Sequence, residues 1–66
     1  MDRQAFLRLT SGDRVEQVIN SVTYYGTVRY IWAVDGFIVA DWYQTAERCG
    51  GTVWRSPVYF EKVRIS

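Results

Sequence analysis

The 66 residues make one domain, and a domain this small buries only roughly 60% of the surface its unfolded chain exposes, so aromatic mass or self-association must reinforce it. A single cysteine, Cys49, and the absence of histidine exclude an intrachain disulfide and the usual zinc ligand sets. Eight basic against seven acidic residues give a net charge of +1, which lacks the footprint of a dedicated nucleic-acid binder. The N-terminus shows no charged-then-apolar signal pattern and no apolar run approaches the ~20 residues of a membrane span, so the expectation is a soluble, cytoplasmic chain with no membrane role.

In chain order, Asp2 can cap a short helical turn through Arg3, Gln4, Ala5 and Phe6, with Phe6 and Leu9 three apart on one face; an extended arm fits almost as well. Thr10 to Asp13 is a turn cluster, and Arg14 to Ile19 follows as the first strand. Val15 and Val18 fall on opposite faces of a regular strand, which hints at a bulge. Asn20-Ser21 opens a polar break before Tyr24-Tyr25-Gly26, where Gly26 marks a bend or a close approach.

The centre of the chain, Tyr24 to Trp42, reads as two strands, Gly26 to Trp32 and Gly36 to Trp42, joined by a turn centred on Val34-Asp35. Asp35-Gly36 supplies the positive φ that a tight reversal needs. Val28, Tyr30 and Trp32 share one face of the first of these strands and read as core. In the second, Phe37/Val39 and Ile38/Ala40/Trp42 are both apolar, so the N-terminal arm, a neighbouring subunit or a bound partner must cover the second face.

Tyr43 to Arg48 reads as a loop or one helical turn, and Cys49-Gly50-Gly51 as a reversal. Thr52 to Ser56 is the fourth strand, ended by Pro57; residues 57 to 61 have room for one 3₁₀ turn before Val63-Arg64-Ile65 forms the last strand. Five short strands with one late 3₁₀ turn and an N-terminal helical turn or arm spell an all-β, five-stranded SH3-like barrel, which closes its sheet to protect the edges.

Gly12-Asp13-Arg14-Val15 followed by Gly26-Thr27-Val28 is a pattern shared with KOW and CAP-Gly modules. Together with Tyr24 to Gly26, Asp35-Gly36-Phe37, and Gly51-Thr52-Val53 leading to Pro57-Val58, it resembles the plasmid-borne type II dihydrofolate reductases from Gly12 to the C-terminus. That resemblance implies a small SH3-like barrel in a tetramer whose central pore holds a nicotinamide cofactor and folate. The family's Val-Gln-Ile-Tyr pore segment is here Val53-Trp54-Arg55-Ser56, and its pore lysine after Gly-Asp-Arg-Val is replaced by Glu16, Gln17 and Val18. The fold carries over and the reductase activity does not.

Without histidine, proton transfer falls to carboxylates or tyrosines, and nucleophilic chemistry to Cys49 or an unassisted serine. Cys49 has only Arg48 beside it and reads as an inert loop thiol; Asp35 serves the turn and Asp41 pairs with an arginine on an adjacent strand. No catalytic residue, cofactor or metal is therefore assigned. Recognition is the better prospect, because the chain holds eleven aromatics, more than so small a core can hide, and seven arginines against one lysine. Tyr24, Tyr25, Trp42, Tyr43 and Trp54 are the surplus, and with Arg29 and Arg55 they form the candidate partner-binding set. The expected function is a non-catalytic module that binds a protein or self-associates into a homo-oligomer. A nucleic-acid-binding KOW-type barrel, stacking bases on the same set, is the first alternative, and a divergent reductase the second.

Overall fold

The computed structural model describes residues 1–51 and 54–66 of the chain. Thr52 and Val53, with which the fourth strand was expected to open, lie outside the described residues. A five-residue helix, α1 (Arg3–Leu7), precedes strands β1 (Arg14–Ile19), β2 (Val22–Trp32), β3 (Phe37–Tyr43) and β4 (Trp54–Tyr59); a 3₁₀ turn (Phe60–Lys62) then leads to β5 (Arg64–Ile65). All pairings are antiparallel and join the strands in the order β4-β3-β2-β1-β5. No ladder joins β4 to β5 among the described residues, so the sheet stays open where closure was expected. No helix of the described residues is long and apolar enough to cross a membrane.

The helical alternative for the N-terminus holds. The Asp2 carboxylate accepts from the Ala5 N–H at 2.8 Å, which satisfies one donor of a helix too short to stand alone. What fixes α1 is Phe6, which is fully buried and stacks on Phe60 with ring centroids 4.8 Å apart. The Met1 ammonium donates to the carbonyls of Phe60 and Val63, so helix and 3₁₀ turn close one end of the core together.

Two strand boundaries moved for local reasons. Asn20 and Ser21 take positive φ, 50° and 68°, which makes them the two central residues of a tight reversal; β2 therefore begins at Val22, earlier than the aromatic run suggested. Pro57 does not end β4. It pairs with Val39 inside the strand, and because β4 is an edge, a residue with no N–H to donate is tolerated there.

The core lies on one face of the sheet, here called the inner face. Val15 of β1, Val28 of β2, Ile38, Ala40 and Trp42 of β3 meet Phe6, Leu9, Phe60 and Val63 there. Trp42 lies opposite Gly26, and a methyl group on Gly26 would sit 2.6 Å from the indole, so this glycine makes the space the ring occupies.

The expected bulge is absent from β1, whose register with β2 runs unbroken from Arg14 to Ile19 and leaves Val18 exposed. It falls instead at Arg29, between the pairs Val28↔Ala40 and Tyr30↔Val39. One extra residue there reverses the alternation. Val28 stays inside, whereas Tyr30 and Trp32, read from the sequence as its core companions, emerge on the outer face with 51% and 44% of their surface exposed. Ile31 takes the inward position and packs against the core.

Candidate functional site

The face change at Arg29 assembles a surface that simple alternation does not show. Across β2, β3 and β4 the pairs Trp32↔Phe37 and Phe37↔Tyr59 set three rings side by side on the outer face. Tyr30 to Trp32 is 6.3 Å, Trp32 to Phe37 6.3 Å and Phe37 to Tyr59 5.9 Å between ring centroids, the last two edge to face. Tyr30 and Pro57 flank Val39 on the same face, and Val39 itself is buried. Behind Tyr59, Phe60 turns inward at 4.9 Å and joins this row to the core stack.

At one end the row meets a charged cluster. Toward the middle of the sheet, Asp41 of β3 accepts from the Arg55 Nε at 2.8 Å and lies 3.6 Å from an Arg29 guanidinium nitrogen. The hydrogen bond to Asp41, with the carboxylate's charge adding to it, holds the Arg55 pKa above its usual value. Two guanidiniums on one carboxylate leave a net positive row, and both arginine side chains are about half exposed, at 49% and 54%. At the opposite end, the β2–β3 loop forms an open concavity of about 420 Å³ lined by Trp32, Ala33, Val34 and Asp35.

The seven residues predicted for partner binding divide into separate groups. Arg29 and Arg55 lie together on the outer face, as above. Tyr25 and Tyr43 are cross-strand partners on that face. The Arg48 guanidinium stands 5.7 Å above the Tyr25 ring. Arg48 also donates to the carbonyls of Gly26, Val15 and Ala46, and its burial, with the charge of Arg14, lowers its pKa. A cation fixed by three carbonyls and a ring braces the sheet and is poorly placed to contact a ligand. Tyr24 and Trp54 meet edge to face at 5.1 Å on the inner side, both half-buried against the core.

Trp42 is the correction. It is completely buried, and its indole N–H has no hydrogen-bond partner among the described residues. The even positions of β3 face the core, so the residue read as surplus is the largest side chain of the interior.

The sequence reading missed Tyr30, Trp32, Phe37, Pro57 and Tyr59. The doubly apolar pattern of β3 was the available signal, since it required a covered second face; the bulge that carries Tyr30 and Trp32 there has no comparable signature. Cys49 is an exposed free thiol. A second groove, about 270 Å³ between β1 and the 3₁₀ turn, is lined by Glu16, Glu61, Lys62 and Arg64, charges of both signs, and by the buried Gln17. Compared with protein-family models, with curated proteins and with solved structures, the chain matches none of them.

Proposed function

We propose that the chain is a non-catalytic SH3-like interaction module that binds a protein surface, its own or another's, through the outer face of β2, β3 and β4. The strand order β4-β3-β2-β1-β5, with a 3₁₀ turn between β4 and β5, supports the SH3-like reading although the sheet is open. The observation that carries the function is the row Tyr30, Trp32, Phe37 and Tyr59, with Tyr30, Trp32 and Tyr59 each at least 40% exposed and Arg29 and Arg55 at one end. Large aromatics and arginines are the side chains that contribute most at protein interfaces, because they bury much surface while fixing few torsions. Nucleic acid is the weaker occupant: Arg29 and Arg55 share the Asp41 carboxylate, which reduces the charge available to phosphates.

Random-peptide display against the immobilised chain tests this. Peptides should be enriched that bind the wild type and lose binding to a Trp32→Ser/Tyr59→Ser variant that remains folded. Enriched peptides that the double variant retains would contradict the reading. So would capture of single-stranded nucleic acid alone, with affinity falling steeply as salt is added, or dihydrofolate-dependent NADPH oxidation.

A further inference from the structure

Strand β1 is only partly covered on the side away from β2. The two residues of β5 pair with Val15 and Glu16 alone; beyond them the chains part as Phe60 and Val63 turn into the core, and a groove of about 270 Å³ opens between residues 16–18 and 61–64. Backbone parity decides what lines it. The reversal at Asn20-Ser21 has two residues, so its flanking pair Ile19↔Val22 exchanges both hydrogen bonds, and alternation turns the Val18 N–H and C=O away from β2. Arg14, of the same parity, shows where such groups point: its carbonyl accepts from the Ser66 N–H on the β5 side. Past Glu16 no ladder continues on that side among the described residues, so Val18 presents a donor and an acceptor to the open edge. The other edge, β4, is interrupted by Pro57, whereas Gln17 to Ile19 hold no such guard. Gln17 adds a second amide. It is only 7% exposed and its side chain makes no hydrogen bond among the described residues, yet its polar atoms are not sealed from solvent, so its carboxamide is the part that reaches the groove.

From this geometry we infer that the groove takes the free C-terminal end of a partner protein, added to β1 as a short antiparallel strand. Two amide groups that each offer a donor and an acceptor match a peptide backbone. Strand β5 sets the occupant's length, because a chain running straight on past Val18 would collide with Arg64, which already lies beside Glu16. An antiparallel occupant ends there in a carboxylate, a parallel one begins there with an ammonium. Charge selects the carboxylate. Glu16 and Arg64 are bonded to each other, and of the remaining charges at the groove the Met1 ammonium and Lys62 outnumber Glu61. The terminal residue accepts from the Val18 N–H through its carboxylate and donates its own N–H to the Val18 carbonyl, with Lys62 and the Gln17 carboxamide beside it. This site shares no residue with the aromatic row of the outer face, so it stands or falls independently of that reading.

The test titrates the isotopically labelled chain with three pools of N-acetylated random hexapeptides: one ending in a free carboxylate, one in a carboxamide, and one N-methylated at its last amide. The carboxylate pool should move the amide resonances of Gln17, Val18 and Lys62. The carboxamide pool should bind at least tenfold more weakly, and so should the N-methylated pool, which has no N–H for the Val18 carbonyl. Both comparisons leave the protein itself unchanged. Lys62→Glu should weaken the carboxylate pool at least tenfold and Gln17→Leu several-fold, with thermal unfolding to check that each variant folds, whereas Trp32→Ser/Tyr59→Ser should leave it unaltered. The inference is overturned if no pool moves Val18, or if carboxylate, carboxamide and N-methylated pools bind alike. Resonances that move only around Trp32 and Tyr59 overturn it as well, while leaving the outer-face reading in place.

Discussion

Gly26 and Trp42 form a cross-strand pair in which one residue's missing side chain makes room for the other's indole. Gly26→Ala should destabilise the fold by about 1–3 kcal/mol, the usual cost of forcing an extra carbon into a packed core, measured by urea unfolding. The two tryptophans that pair between β3 and β4 should behave very differently. Trp42→Ala removes the largest fully buried side chain and should cost about 3–5 kcal/mol, against a total stability of roughly 3–10 kcal/mol for a chain of this size. Trp54→Ala exposes a half-buried contact with Tyr24 and should cost clearly less in the same measurement. Composition made both look like surplus aromatics; both face inward, and what separates them is that β3 lies inside the sheet whereas β4 is its edge, which becomes readable only once the strand order is known. Asp41 was legible, because a carboxylate in the middle of an apolar strand needs a cation across the ladder, and Arg55 and Arg29 supply it.

At the scale of elements, signals with a local cause were read correctly. Asp2 caps α1, Gly36 takes a φ of 85° at the end of the β2–β3 loop, and the 3₁₀ turn follows Pro57 within a few residues. Asp2→Ala should therefore cost about 1 kcal/mol by loss of the cap, seen as a lower urea midpoint with an unchanged slope. The β1–β2 reversal was not read as a turn, because Asn-Ser is a weaker signature of two positive φ values than Asn-Gly. Ser21, held at φ 68°, bears a strain that glycine would not; Ser21→Gly should raise stability by about 0.5–1 kcal/mol in the same unfolding measurement. Pro57 misled for the opposite reason, since its effect depends on β4 being an edge, and edge position is a property of the sheet.

At the scale of the whole molecule, the two faces of the sheet do different work. The inner face, closed by α1 and the 3₁₀ turn, builds the fold; the outer face keeps an aromatic row with the Arg29–Asp41–Arg55 cluster at one end. The all-β class and the strand count were legible because turn residues punctuate the chain at short intervals. The location of the candidate surface was not, because one extra residue at Arg29 moves Tyr30 and Trp32 from the expected core side to the other. Four of the seven residues named from the sequence, Tyr25, Arg29, Tyr43 and Arg55, do lie on the outer face, where they border the aromatic row without forming it.

The claim that the outer face is the recognition surface is tested most directly by mapping backbone amide resonances of the isotopically labelled chain as it is concentrated from high dilution. The account predicts that the resonances that move cluster at Arg29 to Phe37 and Arg55 to Tyr59, with the β1–β2 hairpin from Val18 to Val22 unmoved. Movement centred on that hairpin or on Tyr24 and Trp54 would contradict it, whereas a spectrum unchanged at every concentration would remove only a second copy as the partner.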